Sequence, residues 1–261
     1  MIGKKIKFDK VSKTILFLLI AYFVVLLCIY LPIYIKNQRE RIYIITDEYK
    51  IKYTFGNWSN ITNSDDYKVE EFRFYEDGKD IGEYKTIYSN RFHLYDNGKQ
   101  VKYNGTLFGY RGTLDLNYLD TKIVDSIDDN DKQVITKVFE DNSIPVDFNF
   151  NLYQRIDYDL DNDGSTDNIY CISNYYMDNM DKYYSIIFTN IDGKINIIDK
   201  IITDSDGTYE KPMFKISNLV DIRDDEKYEL LYMNNYFSQS GTDCVKMYNV
   251  TKNKLVKNFC K

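Results

Sequence analysis

Residues 159–172 read DLDNDGSTDNIYCI, with carboxylates at alternate positions, then a glycine, then a closing carboxylate ahead of an apolar run. Calcium binds six to eight oxygen ligands at about 2.3–2.6 Å, so alternate carboxylates followed by a sharp bend are typical of its loops. Gly164 would supply that bend. The stretch therefore predicts a calcium site whose ligands are Asp159, Asp161, Asp163, the backbone carbonyl of Ser165, and Asp167.

An ordinary polar turn that binds no ion is the alternative interpretation, because acidic and amide side chains next to glycine are also typical of turns. An EF-hand is excluded, since its twelfth position requires a bidentate glutamate and is occupied here by Tyr170. The residues on either side of the loop also alternate in polarity, as strands do. The loop is therefore expected to join two strands.

This arrangement resembles the strand-loop-strand calcium motif of FG-GAP and VCBS repeats, which are known from integrin alpha subunits and many bacterial surface proteins. The resemblance implies bound calcium and propeller-blade-like repeats in a membrane-anchored surface protein. An abundance of Tyr, Asn, Ile, Lys and Asp is also typical of low-GC Gram-positive bacteria. The residues that carry the resemblance are Asp159, Asp161, Asp163, Gly164, Asp167 and Ile169.

The carboxyl-terminal part of the chain repeats itself at an offset of 62 residues. In the second copy, residues 221–229, Arg223 replaces a ligand and Glu226 replaces the glycine. We therefore expect a second repeat without metal, in which Asp225 and Glu229 pair with Arg223 or Lys227. The matched pairs are Asp159/Asp221, Leu160/Ile222, Asp163/Asp225, Asp167/Glu229, Ile169/Leu231, Tyr170/Tyr232, Tyr175/Phe237 and Asp181/Asp243.

An apolar segment at residues 14–35 is long enough to cross a bilayer, because residues 15–33 alone would span about 29 Å as a helix. Lysines at positions 4, 5, 7, 10 and 13 outnumber the three basic residues that follow, which favours a cytoplasmic tail at residues 1–13. A cleaved signal peptide is the alternative, but no small-residue cleavage site follows the segment. We predict a single-pass anchor in the cell membrane, with the rest of the chain outside.

The net charge of the chain changes sign at the end of the apolar segment. The first 36 residues carry +5, whereas the remaining 225 carry −11 of the total of −6. An acidic surface repels nucleic acid and anionic lipid, so nucleic-acid binding is not expected. The expected partners are the membrane and an unidentified protein or cell-wall glycan.

The exported part is predicted to be mainly β. Alternating residues and three turn signals indicate an antiparallel β meander at residues 36–125. A helical connector follows at residues 126–145, capped by Asp128 or Asp129 and ended by Asn142. Strands are expected from residue 148 onward, in a two-repeat region at residues 146–261. The turn signals are Asp77-Gly78, Asn97-Gly98 and Asn104-Gly105, with a later hairpin at Asp192-Gly193.

Three cysteines lie beyond the apolar segment, and an odd number cannot all pair within one chain. A turn around Lys252 would place Cys244 opposite Cys260, which is compatible with a cross-strand disulfide or with two free buried thiols. Cys28 lies within the apolar segment and is expected to face lipid.

Catalytic motifs are not found in the sequence. The single histidine, His93, falls in an alternating strand, and neither a glycine-rich phosphate loop nor a nucleophile elbow is present. Trp58 falls in a stretch predicted to be a polar loop and is the aromatic residue best suited to ligand contact. The sequence thus predicts a non-catalytic, extracytoplasmic binding or structural module with a calcium-stabilised hairpin. The alternative is a tethered sensor or accessory subunit of a cell-envelope complex with a metal-free loop.

Overall fold

The structure is a computed structural model of the chain. It describes residues 10–46, 48–61, 71–77, 79–88, 92–114, 116–119, 121, 123–174, 182–204, 212–223, 225–236 and 244–260. Two of the eight matched repeat pairs, Tyr175/Phe237 and Asp181/Asp243, lie outside these residues, as does Gly78 of the first turn signal.

The amino-terminal apolar segment is helical. Helix α1 runs from Lys10 to Arg39, and its stretch Ile15–Ile35 is long and apolar enough to cross a membrane. The apolar side chains of that stretch are exposed, Cys28 among them. A helix that leaves such a surface uncovered requires lipid or another apolar environment. The predicted apolar helix is confirmed, and its orientation in a membrane stays a prediction.

An eight-stranded antiparallel sheet follows, here called the amino-terminal sheet. Its spatial order is β3-β2-β1-β8-β4-β5-β6-β7, so β8 lies between β1 and β4 and the region is not a simple meander. Gly109 allows this insertion, because a Cβ there would overlap the side chains of Phe74 and Ile45. The strands are β1 (Arg41–Thr46), β2 (Lys50–Thr54), β3 (Asn57–Asn60), β4 (Glu71–Glu76), β5 (Lys79–Tyr88), β6 (Phe92–Asp96), β7 (Lys99–Val101) and β8 (Leu107–Gly112).

The prediction of a hairpin at Asn104-Gly105 was wrong, because β7 and β8 do not pair. The backbone amides of Asn104 and Gly105 instead donate to Oε1 of Glu76, at 2.7 and 2.9 Å. A Cβ at position 105 would also overlap the Asp77 carboxylate. Gly105 therefore allows the backbone at this position to lie close to the β4–β5 turn.

Helix α2 (Asp129–Asp141) confirms the predicted connector, with Asp128 as its N-cap and Asn142 as its C-cap. Asp128 and Asp131 exchange hydrogen bonds of 2.9 Å between side chain and backbone, which closes a capping box. Residues 146–151 form no strand, contrary to the prediction that strands resume at residue 148. Phe148 and Phe150 pack instead against the apolar face of α2 and the sheet beneath it.

The last part of the chain forms two antiparallel sheets of similar strand order. Each is a four-stranded meander with one added edge strand, and β12 and β16 begin and end at positions 62 residues apart. The first-repeat sheet contains β10 (Ile123–Val124), β11 (Leu152–Tyr158), β12 (Asp167–Asn174), β13 (Lys182–Ile191) and β14 (Lys194–Asp204). The second-repeat sheet contains β9 (Asn117–Tyr118), β15 (Pro212–Asp221), β16 (Glu229–Tyr236), β17 (Cys244–Asn249) and β18 (Lys254–Cys260).

The three sheets stack face to face with the second-repeat sheet in the middle. One buried cluster joins it to the amino-terminal sheet, and another joins it to the first-repeat sheet, which α2 covers on its far side. Gln154 also exchanges two hydrogen bonds with the backbone of Ile216, its own counterpart 62 residues later, at 2.8 and 3.3 Å. The predicted mainly β fold is thus confirmed as an open stack of sheets.

A disulfide joins Cys244 to Cys260, which face each other on β17 and β18. The turn around Lys252 and a bulge between Met247 and Tyr248 together set this register, and the two cysteines lie opposite each other as the sequence predicted. Of the alternatives that the sequence left open, the structure has the disulfide, and Cys171 is a buried free thiol.

Candidate metal centre in the first repeat

The loop between β11 and β12, called the first-repeat loop (residues 159–167), is held by its own carboxylates. Asp159 accepts hydrogen bonds from the backbone amides of Asp163 and Gly164, at 3.1 and 3.0 Å. Asp167 accepts one from the amide of Leu160 at 2.9 Å. Gly164 has a φ of +89°, a conformation that glycine adopts without strain. These bonds fix the loop at both ends.

Carboxylate oxygens of Asp159, Asp161 and Asp167 lie within 4.8 Å of one another. Oxygens that share one calcium ion at about 2.3–2.6 Å from it can be no farther apart than about 5 Å, so this spacing fits a common cation. The predicted ligands Asp159, Asp161 and Asp167 are therefore brought together in one cluster.

Asp163 belongs to a second cluster, with Asp161 and Asp192, in which the carboxylate oxygens also lie within 4.8 Å. Asp161 is common to both. The sequence predicted a hairpin at Asp192-Gly193 but did not connect it with the loop. The signal that could have done so is the pairing of β13 with β12, which brings the β13–β14 turn beside the start of β12.

Ser165 was predicted to offer its backbone carbonyl. The structure places its amide 2.7 Å from Oδ1 of Asp163, to which it donates a hydrogen bond. Asp163 also donates its own amide to Oδ1 of Asp161, at 3.3 Å. In the exposed half of the loop, hydrogen bonds between neighbouring residues thus orient the carboxylates of Asp161 and Asp163.

Burial raises the pKa of Asp167 above its usual value, and the nearby carboxylates of Asp161 and Asp192 raise it further. The hydrogen bond from Leu160 acts in the opposite direction. A cation among these groups would offset their mutual repulsion. The donor set fits a hard divalent ion, which Asp159, Asp161 and Asp167 would hold.

The corresponding loop of the second repeat (residues 221–229, the second-repeat loop, described except for residue 224) reproduces three of these hydrogen bonds. Asp221 accepts from the amides of Asp225 and Glu226, at 3.1 and 2.8 Å, as Asp159 accepts from Asp163 and Gly164. Glu229 accepts from the amide of Ile222 at 3.4 Å, as Asp167 does from Leu160. The conformation therefore forms in a sequence that has Arg223 at the position of Asp161.

Of the two carboxylates predicted to form ion pairs in the second repeat, one does so. Asp225 pairs with Lys227 at 2.6 Å, as expected. Glu229 does not pair with Arg223 or Lys227, because its Oε1 accepts from Asn249 at 2.9 Å at the wall of the loop. Arg223 lies 3.7 Å from Glu40 instead. Burial raises the pKa of Glu229 to about 7, and the nearby carboxylates of Asp221 and Asp225 act in the same direction.

Trp58 is not in a loop, contrary to the prediction, but in strand β3. Its ring packs against Tyr53 and Phe259, with centroid distances of 5.2 and 6.4 Å. This packing explains the strand, because the ring fills the edge of the core between two sheets.

His93 lies in β6, and its Nδ1 is 2.9 Å from Nε2 of Gln100.

A cavity of about 330 Å³ lies where the three sheets meet. A bulge in β15 between Ile216 and Asn218 turns Ser217 towards it, where Ser217 donates to Oδ1 of Asn218 at 2.8 Å. Asn218 in turn donates to the hydroxyl of Tyr118 at 2.9 Å. The cavity therefore offers hydroxyl and amide groups beside an aromatic ring.

Comparison of the chain with protein-family models, with curated proteins and with solved structures finds no match in any of the three. The FG-GAP and VCBS resemblance accordingly stays a prediction that rests on the loop residues named above.

Proposed function

We propose that this protein is a membrane-tethered, extracytoplasmic binding or structural module in which calcium stabilises the β11–β12 hairpin. The observation that carries the proposal is the first-repeat loop, where three carboxylates converge at the end of a buried hairpin. Calcium is preferred to magnesium because the ligands are several and flexible, whereas magnesium requires near-ideal octahedral geometry.

Helix α1 supports the tether. Only one residue, Glu40, separates its end at Arg39 from β1 at Arg41, so the sheets would begin at the membrane surface. The excess of lysines before the apolar segment favours an outward-facing carboxyl-terminal part, where calcium is abundant enough for a site of millimolar affinity.

A non-catalytic role agrees with the polar groups of the described residues. The ring nitrogen Nδ1 of His93 is within hydrogen-bond distance of Gln100, and burial raises the pKa of the Cys171 thiol well above its usual value. The Cys171 thiol is therefore not an activated nucleophile. The cavity where the three sheets meet offers the module a place to bind a partner group.

The alternative, a sensor or accessory subunit with a metal-free loop, is favoured by one observation. The second-repeat loop keeps the same backbone bonds although Arg223 opposes a cation there. The loop conformation alone therefore does not require an ion, and the two proposals must be separated by experiment.

We expect calcium to slow backbone hydrogen exchange in the first-repeat loop of the full chain in detergent. At about 5 mM calcium, a site with Kd of about 0.5 mM would be stabilised by about 1.4 kcal/mol, which slows exchange about tenfold at the amides of Leu160, Asp163 and Gly164. Asp161→Asn should abolish the effect because Asp161 belongs to both carboxylate clusters.

The matched control is Asp225→Asn, the same change at an exposed position of the second-repeat loop, which should leave the calcium effect intact. Equal exchange in calcium and in a chelator would favour the metal-free alternative over the proposal.

A further inference from the structure

A cavity of about 320 Å³ beside the second-repeat loop is lined by four cationic side chains. They are Arg223 and Lys227 of the loop, and Lys252 and Lys254 at the β17–β18 turn. Two carboxylates, Asp225 and Glu229, share this lining, and Asp225 is paired with Lys227. Cations therefore predominate in this cavity, although the chain as a whole is acidic.

Comparison of the two repeats shows where the charge of the loop differs between them. Arg223 corresponds to Asp161 and Lys227 to Ser165 at an offset of 62 residues. Strand pairing places Lys254, the first residue of β18, at the position of Lys194, the first residue of β14. Asp161 belongs to both acidic clusters of the first repeat. The loop position that holds this carboxylate in the first repeat thus holds the guanidinium of Arg223 in the second. With its excess of cationic side chains, the cavity beside the second-repeat loop would attract an anion.

Two of the cations are available to a ligand. Lys252 and Lys254 are exposed and make no ion pair with another residue that the structure describes. Arg223 is held at the edge of the cavity, 3.7 Å from Glu40 and above the ring of Tyr53. Trp58 forms part of the opposite wall and is anchored by Phe259.

This cavity lies close to the end of the apolar helix. Glu40, the neighbour of Arg223, directly follows α1. Thr54 pairs with Arg41, so the β2–β3 turn that carries Phe55 also lies beside the first residues after the helix. Phe55 is 56% exposed, and Leu255 and Val256, in the cavity lining, are 45% and 41% exposed. Exposed apolar side chains beside free lysines are typical of surfaces that contact a membrane.

We propose that this face binds the phosphate headgroups of anionic lipids in the leaflet next to the repeats, with Lys252 and Lys254 as the main phosphate contacts. The proposal rests on the proposed tether, which brings the face to the leaflet. Lysine and arginine bind phosphate through charge-assisted hydrogen bonds, and the exposed apolar side chains reach the acyl boundary. The face would orient the sheet stack on the membrane.

Trp58, the only tryptophan of the chain, reports on this cavity. The full chain is reconstituted in phosphatidylcholine vesicles with and without about 30 mol % phosphatidylglycerol, its repeats facing the external buffer that contains a chelator. Quenching of Trp58 by the neutral quencher acrylamide is then measured. We expect phosphatidylglycerol to reduce quenching about twofold, because headgroups cover the cavity, and added salt to reverse this.

The double variant Lys252→Gln/Lys254→Gln should give the same quenching in both lipid mixtures. The matched control, Lys99→Gln/Lys137→Gln, removes the same charge from exposed positions on β7 and α2 and should behave as the wild type. If the control also loses the effect, or if phosphatidylglycerol changes nothing in the wild type, the lipid site is overturned.

Two further measurements distinguish failure of the proposed tether from failure of the proposed lipid site. Extraction of the vesicles with alkaline carbonate tests the tether by itself, and a chain that is washed off would refute the proposed function rather than the headgroup site. Soluble glycerol phosphate is added to both vesicle types. Competition with the phosphatidylglycerol effect supports headgroup recognition, whereas protection of Trp58 by glycerol phosphate alone, with no lipid effect, overturns the lipid assignment.

Discussion

Replacement of Asp131 by alanine is expected to lower the free energy of unfolding by about 3–5 kcal/mol. The Asp131 side chain is only 2% exposed and accepts from the guanidinium of Arg155 at 2.6 Å and from the hydroxyl of Tyr170 at 2.9 Å. It also accepts from the amide of Asp128 to close the capping box. Alanine would leave all three donors without this acceptor in a poorly hydrated site beneath α2.

Asp129→Ala is the matched control for this prediction. Asp129 lies in the same helical turn, but its side chain is 92% exposed, and its ion-pair partner among the described residues is Lys132, at 2.9 Å. An exposed pair three residues apart is worth about 0.2–0.5 kcal/mol. Thermal or urea unfolding of both variants provides the comparison. A loss below about 1 kcal/mol for Asp131→Ala would contradict the role assigned to this buried network.

Glu229→Gln is expected to remove a pH dependence of stability worth about 2 kcal/mol. The folded-state pKa of Glu229 is raised to about 7 from an ordinary 4.5, mainly by burial. Between these two values the folded state binds the proton more tightly than the unfolded state, so stability falls as pH rises from about 4.5 to 7. Below that range Glu229 carries no penalty, and above it the penalty is complete.

The measurement is the difference in unfolding free energy between wild type and Glu229→Gln at pH 5 and pH 8, because other titrating groups cancel in that difference. The variant should gain about 2 kcal/mol relative to the wild type at the higher pH. Glu226→Gln, at an exposed position of the same loop, should follow the wild type at both values. Parallel profiles for the wild type and Glu229→Gln would contradict the burial argument.

The features that could be predicted from the sequence are those set by neighbouring residues. The capping box of α2 and the turns at Asn97-Gly98 and Asp192-Gly193 depend on local backbone preferences. The duplication was visible because both copies keep the acidic residue that accepts the loop amides, Asp159 in one and Asp221 in the other.

The features that could not be predicted depend on residues distant in the chain. Strand β8 inserts between β1 and β4, so the Asn104-Gly105 pair ends a crossover rather than a hairpin. Trp58 joins a strand because Phe259, about 200 positions later, packs against it. Asp192 approaches Asp161 only through the pairing of β12 with β13. Local sequence patterns indicate the turns, but they do not indicate these contacts between distant residues.

The two repeats share the hydrogen bonds of their loops, and we propose that only the first repeat binds calcium. The most direct test is the stoichiometry of calcium binding to the full chain, measured by titration calorimetry in detergent at millimolar calcium. We expect one site per chain that is lost in Asp161→Asn and kept in Asp225→Asn. No saturable binding, or a site that survives Asp161→Asn and disappears in Asp225→Asn, would contradict it.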